Sequence, residues 1–363
     1  MSDAAQPASL NLAAALPRQP VTCFWEITDA CNLRCIHCEA DSGGCSPDEL
    51  STDEALAVAD DLVAAGCQRV MLTGGEPLVR GDWPRLARRL ADLGLAVTVI
   101  TNGVLVDGEM VSRLRDAGVT AASVSLDGDR QVHDTIRRWP GRSRGSVYDA
   151  AVRAVELLAA SELQTAVITQ VHRRNIDDLE RMYEQVVALG VDAWQVQIAM
   201  PLGRLLDIKY QYLIEPSALP GLVERLVALV ADGRVPVGVA DNIGYYSRNE
   251  PLLRGALAGG HTFWTGCMAG VRLVALRANG DVKGCPSHPP QFVVGNVRRM
   301  PLSEIWRDPR RFSYNTAWDE SLLEGQCAEC DFRRVCRAGC TTMAFAVTGR
   351  PHDNPYCLRK AAS

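Results

Sequence analysis

Cys31-Asn32-Leu33-Arg34-Cys35-Ile36-His37-Cys38 follows directly on a short β-branched and aromatic run, Cys23 to Thr28. Three thiolates spaced Cys-x3-Cys-x2-Cys reach three corners of a [4Fe–4S] cube, and no fourth cysteine lies in the same motif. One iron is then left open, which is what a metal centre needs in order to bind and activate a ligand. Zinc is the other reading of the same thiols. A structural zinc site is closed by four ligands, and His37 is the nearest candidate for the fourth.

Outward from this stretch, short β-branched runs alternate with longer stretches of helical apolar spacing, the pattern of repeated βα units on a parallel sheet. Strands are predicted at Cys23 to Thr28, Arg69 to Thr73, Ala96 to Thr101, Ala121 to Leu126, Thr165 to Gln170 and Ala193 to Ile198. Thr52 to Ala65, Trp83 to Leu93, Val147 to Ala159 and Ile176 to Leu189 place apolar residues three and four apart, as helices covering a sheet do, and Thr52 and Asp53 supply a start signal for the first. The fold class is therefore α/β, six βα units on a parallel sheet over residues 21–240 after an N-terminal tail, 1–20; that the units form a partial (β/α)6 barrel is implied by the family resemblance given below. Its strands end in the clusters Thr73-Gly74-Gly75-Glu76-Pro77, Thr101-Asn102-Gly103 and Ser125-Leu126-Asp127-Gly128. Ligands gather at the carboxyl ends of parallel strands, so these clusters are expected to share one mouth.

Beyond the barrel a helix (Ser217 to Ala231) and a strand (Val235 to Ala240) lead into a polar and aromatic bridge, 241–266. A hairpin follows, with Val271 to Arg277 and Val282 to Cys285 flanking a turn at Asn279-Gly280. The remainder, 267–363, carries short elements between cysteines, as in a small domain held by metal.

The 363 residues are 47% apolar and 22% charged with a net charge of -5, the composition of a soluble globular protein. That balance argues against a nucleic-acid partner, which clustered Lys and Arg would hold. The N-terminal stretch lacks the basic start and apolar run of a secretory signal, and no apolar run is long enough for a membrane span. Thirteen cysteines without an export signal place the chain in the reducing cytoplasm and point to metal binding. Cys23 and Cys67 read as buried small hydrophobes, and Cys45 has no assigned role.

In this order the motifs resemble the radical S-adenosylmethionine (SAM) superfamily, and the resemblance extends over nearly the whole chain from about residue 20. It implies that Cys31, Cys35 and Cys38 hold a cluster whose free iron chelates SAM. It further implies SAM contacts at Gly74, Gly75, Glu76 and Pro77, with Glu76 on the methionine amino group; at Asn102 and Ser125; at Arg137, on the carboxylate; and at His37, where the family often packs an aromatic on adenine.

The C-terminal cysteines read Cys267-x12-Gly280-x4-Cys285, then Cys327-x2-Cys330-x5-Cys336-x3-Cys340-x16-Cys357, which resembles the SPASM domain of radical enzymes with two auxiliary [4Fe–4S] clusters. The resemblance implies an outer cluster on Cys327, Cys330, Cys336 and Cys357 and an inner one on Cys267, Cys285 and Cys340, three clusters in all. Where relatives place an eighth cysteine, this chain has His261. Either His261 or another group completes the inner cluster, or one iron stays open.

Among such enzymes the chain is most like the maturases of ribosomally made peptides, such as those of mycofactocin and pyrroloquinoline quinone. The resemblance implies a 5′-deoxyadenosyl radical that oxidatively modifies a precursor peptide by crosslinking, decarboxylation or backbone excision, with the surplus electron passing to the auxiliary clusters. The implied partners are that peptide, a separate leader-recognition protein, since residues 1–20 are too few for a recognition domain, and a flavodoxin- or ferredoxin-type electron donor. Sulfatase-maturase-like oxidation of a protein side chain, oxidation of a small metabolite, and a non-catalytic electron carrier or scaffold are the other readings. Asp241, Tyr245, Tyr246 and Glu250 are candidate acids or bases, and Gln195 and Gln197 candidate polar contacts.

Overall fold

The computed structural model describes residues 18–255 and 263–361. Among the described residues ten strands form one sheet: β1 (Thr22–Thr28), β2 (Arg69–Gly74), β3 (Ala96–Thr101), β4 (Ala121–Ser125), β5 (Gln164–Val171), β6 (Ala193–Ile198), β7 (Val237–Val239), β8 (Leu273–Leu276), β9 (Asp281–Lys283) and β10 (Gly295–Asn296). Their order is β10-β9-β8-β1-β2-β3-β4-β5-β6-β7. Every neighbouring pair from β8 through β1 to β7 is parallel, and only β8–β9 and β9–β10 are antiparallel.

Two features depart from the six-unit reading. The short run Val237–Val239, assigned above to the approach to a bridge, pairs with β6 as a seventh parallel strand. The hairpin strand β8 pairs in register with β1, Thr22 opposite Leu273, so the second cysteine set is mounted on the barrel's own sheet. Neither pairing has a local signal, because parallel partners are chosen by packing between segments distant in sequence.

Helices α1 (Thr52–Ala65), α2 (Trp83–Asp92), α3 (Gly108–Asp116), α4 (Arg130–Ile136), α5 (Val147–Ala159), α6 (Leu179–Ala188) and α7 (Leu219–Asp232) connect the barrel strands. All but α4 bury an apolar stripe against one face of the sheet: Leu62, Leu86, Leu90, Leu114 and Leu158 join Val70, Leu72, Val97, Val99, Val124, Val167 and Trp194 in a continuous core, while Ile136 of α4 packs with Ala199, Leu205 and Tyr212. Burying each such side chain contributes about 1.5–3 kcal/mol. Helix α1 starts at Thr52, and its cap is the residue before. Ser51 caps it, accepting from the Glu54 N–H at 3.3 Å, while the Glu54 carboxylate accepts from the Ser51 N–H at 2.8 Å.

Strand residues alternate between that core and the face the helices leave uncovered. Trp194, Val196 and Ile198 face the core, which turns Gln195 and Gln197 to the other side with Glu26 and Gln170. The mouth of the barrel is thus polar.

Candidate radical and iron–sulfur sites

The loop that carries the first three cysteines is fixed at several points. Cys31 N–H donates to the Gly43 carbonyl at 2.8 Å, and Ile36 N–H to Ile136 at the end of α4 at 3.0 Å. Arg204 threads the loop from behind, donating to the carbonyls of Cys35 (2.7 Å) and Ser42 (2.8 Å) and to the Asp41 carboxylate (2.7 Å). Its neighbour Gly203 has φ +51 and packs so closely that a Cβ would lie 2.3 Å from the Cys38 carbonyl oxygen. Arg204 carries no sequence signal, because only the fold brings it to the loop.

The thiols of Cys31, Cys35 and Cys38 are close enough to act on one another electrostatically. Burial pushes Cys31 up to about 12 and Cys35 up to about 11. Three neighbouring thiols on one short loop are a donor set that fits three corners of an iron–sulfur cluster.

At the end of β2, Gly74 and Gly75 let the chain press against the residues that precede Cys31. A Cβ at Gly74 would lie 2.3 Å from the Thr28 carbonyl oxygen, and one at Gly75 would lie 2.1 Å from that of Ala30. Gly75 N–H donates to Thr28 and Glu76 N–H to Ala30, each at 2.8 Å. Glu76 is buried. It accepts from the Thr101 hydroxyl (2.8 Å), the Asn102 N–H (2.8 Å) and the Leu78 N–H (3.2 Å), and burial still pushes its carboxyl up to about 7. Asn102 donates in turn to the Asn32 side chain at 2.7 Å, tying the ends of β2 and β3 to the cysteine loop. Pro77 opens the turn after Glu76, and Ser125 ends β4 nearby, 9% exposed.

Arg137 and His37 meet on Asp127, which the sequence reading noted only as part of a strand-end cluster. Asp127 accepts from Arg137 Nε at 2.6 Å and from His37 Nε2 at 3.3 Å through the same oxygen, and from Gln170 N–H at 2.9 Å through the other. Burial opposes its charge, yet Arg137 and the two histidines His37 and His133 hold its carboxyl well below the usual range. The His37 imidazole is buried, its pKa lowered by burial, and its Nδ1 has no hydrogen-bond partner.

In the C-terminal half, Cys327, Cys330, Cys336 and Cys357 line one cavity of about 190 Å³ together with Tyr245, Arg333, Arg359 and Lys360. Among the described residues no three His, Cys, Asp or Glu side chains converge tightly enough to share one metal ion. Four thiols spread around a cavity suit a cluster in which each iron takes one thiolate. The second group, Cys267, Cys285 and Cys340, lies together: Cys267 raises the pKa of Cys285, and both raise that of Cys340. Burial pushes Cys285 up to about 12, and the Thr341 hydroxyl bonds to Cys267. His261 lies outside the described residues.

Of the acid–base candidates, three have structural work. Glu250 is buried, bonded to the N–H groups of Tyr246 (3.0 Å) and Trp264 (3.2 Å) and to Arg254 (3.1 Å). Tyr245 OH donates to the Asp241 carbonyl (2.7 Å) and accepts from Cys340 N–H (2.8 Å). Tyr246 donates to the Trp264 carbonyl and stacks on Phe332 at 4.4 Å. Asp241 differs. Its backbone is pinned by Tyr245 and by Arg254 on the Ala240 carbonyl, while its side chain is exposed at the end of β7 and close enough to Cys267, Cys285 and Cys340 to raise their pKa values. Crowding by protein raises its own carboxyl pKa.

Among the described residues no helix is long and apolar enough to cross a membrane. Residues 25–186 match the radical SAM superfamily, and residues 267–331 match an iron–sulfur cluster-binding domain, SPASM. The chain is 30% identical over 354 residues to an AdoMet-dependent heme synthase of Methanosarcina barkeri, covering 95% of this chain and 98% of that one. It is 32% identical over 342 residues to a mycofactocin maturase of Mycobacterium ulcerans, covering 93% and 86%. The structure of native anSMEcpe with bound AdoMet superposes with a TM-score of 0.72 at 17% identity, over 93% of this chain and 94% of that chain, and so shares the fold. With its cysteine loop at the mouth of a parallel α/β barrel and its second cysteine set on the same sheet, the chain belongs to the radical SAM superfamily and carries a SPASM iron–sulfur domain.

Proposed function

We propose that this enzyme oxidises a ribosomally made precursor peptide at the barrel mouth. The observation that carries the oxidative part is the exposed Asp241 carboxyl just after β7, close enough to Cys267, Cys285 and Cys340 to raise their pKa values. When bound, SAM and the clusters would supply a 5′-deoxyadenosyl radical to remove a substrate hydrogen atom, and a low-energy acceptor for the electron left behind. Cys31, Cys35 and Cys38 would hold the SAM cluster, Cys267, Cys285 and Cys340 the inner auxiliary cluster, and Cys327, Cys330, Cys336 and Cys357 the outer one.

The chain's own residues do the positioning. Glu76 presents a buried carboxylate for an ammonium group, and Arg137, oriented by Asp127, a guanidinium for a carboxylate. Asn102 and Asn32 hold the strand ends against the cysteine loop. Asp241 takes the proton that leaves the oxidised substrate, its raised pKa bringing it closer to neutral pH than an ordinary carboxylate.

The identity with mycofactocin maturase supports a peptide substrate, with a leader-recognition protein and a flavodoxin- or ferredoxin-type donor as partners in the cytoplasm. A tetrapyrrole substrate is the second reading, favoured because the heme synthase relative is matched over 98% of its own length. Reduced, anaerobically reconstituted protein should be incubated with SAM and either a precursor peptide encoded beside its gene or iron-coproporphyrin III. The peptide reading expects 5′-deoxyadenosine together with a mass loss from the peptide. Turnover with the porphyrin alone would replace it by the second reading, and no 5′-deoxyadenosine with all clusters present would leave a carrier or scaffold.

A further inference from the structure

The inner thiols are one donor short of the outer set: Cys267, Cys285 and Cys340 against the four cysteines of the outer cavity. His288 stands three residues beyond Cys285, in a turn closed by its own N–H on the Cys285 carbonyl at 3.1 Å. Cys285-x2-His288 repeats the spacing of Cys327-x2-Cys330, a spacing at which a tight turn directs two side chains to one metal centre.

His288 is 2% exposed, and neither Nδ1 nor Nε2 has a hydrogen-bond partner. An imidazole buried with both nitrogens unpaired calls for a partner the protein atoms do not supply. Its ring is held in an aromatic box, stacked on Phe292 at 4.6 Å and edge-on to Tyr314 at 5.1 Å. That box adjoins the inner thiols. The Tyr314 hydroxyl packs against Gly284, where a Cβ would come within 2.1 Å of it, and Asn315 donates to the carbonyls of Cys267 (2.6 Å) and Ala269 (2.7 Å). Lys283 anchors the same turn by donating to the carbonyls of Pro286 (2.7 Å) and His288 (3.0 Å). Burial and the Lys283 charge keep the imidazole neutral, the form in which it binds a metal.

We infer that His288 is the fourth protein ligand of the inner auxiliary cluster. The inference rests on the reading of Cys267, Cys285 and Cys340 as the ligands of that cluster. It makes the inner cluster closed, excludes direct substrate ligation there, and gives it a higher reduction potential than four thiolates would, since imidazole in place of thiolate removes negative charge from the iron.

The test uses full-length chain with Cys31, Cys35 and Cys38 all replaced by alanine, so that only auxiliary clusters remain, grown with ¹⁵N-histidine and reduced without SAM. Pulsed electron paramagnetic resonance should show a ¹⁵N coupling to the reduced cluster. The coupling should vanish in His288→Ala, and His288→Cys should restore inner-cluster iron without it. Inner-cluster iron with no coupling, or a coupling that survives His288→Ala, overturns the assignment. Absence of inner-cluster iron in the parent overturns the underlying reading as well.

Discussion

Asp127 Oδ2 lies 2.6 Å from Arg137 Nε beside the cysteine loop, the carboxylate fully buried and the guanidinium largely so. The pair joins the end of β4 to the end of α4, the two elements that flank His37. An ion pair so placed fixes where a guanidinium points, more than it adds net stability.

Asp127→Ala leaves the Arg137 charge buried without its partner, and chemical denaturation under anaerobic conditions should show a loss of about 3–5 kcal/mol. A loss under about 1 kcal/mol would mean that Arg137 behaves as an exposed residue.

Gly75→Ala drives a Cβ to 2.1 Å from the Ala30 carbonyl oxygen and 2.8 Å from that of Asp29. The chain must shift at the residue before Cys31, so thermal unfolding should report a cost of about 1–3 kcal/mol. Gly81→Ala, with nothing within 4 Å, is the control and should leave stability and iron content unchanged.

The Glu76 carboxyl sits near pH 7 because it is buried. In the proposed binding mode only its ionised form attracts the ammonium group of SAM, and that form grows as pH rises through 7. Equilibrium binding of SAM to the reconstituted protein should therefore tighten from pH 6 to pH 8. Glu76→Gln should bind weakly and lose this dependence; an unchanged pH profile in the variant would place the titrating group elsewhere.

Asp241→Asn removes a proton acceptor without touching Glu76, Arg137 or any cysteine. Formation of 5′-deoxyadenosine should persist while oxidised product falls at least tenfold, a separation read by chromatography of both products. Parallel loss of the two would assign Asp241 to SAM binding instead.

Much of this was legible in the sequence because its signals are local. The run Cys31 to Cys38, the Gly-Gly-Glu-Pro turn and the alternation of β1 to β6 each declare themselves within a few residues. Arg204 and Asp127 do not. One reaches the cysteine loop from 169 residues away, and the other gathers His37, Arg137 and Gln170 only once β4 and β5 are in register. Glu250 and Tyr245 are a like case: both are polar and close in sequence to a barrel strand, and only the fold shows their hydrogen bonds going to Trp264, Arg254 and Cys340. Asp241 shares their neighbourhood and differs only in being left uncovered, which side-chain type cannot reveal.

The register of β8 on β1 has a mechanical consequence. One strand leads into Cys31 and the other runs between Cys267 and Cys285, and the two are laced together by backbone hydrogen bonds. Both cysteine sites thus ride on one sheet, and the separation between them is set at folding. Under the proposed function no collision of moving parts is then needed to pass an electron on, and a lesion in the four residue pairs of that register, Thr22 to Trp25 against Leu273 to Leu276, should slow electron passage even with every thiol in place.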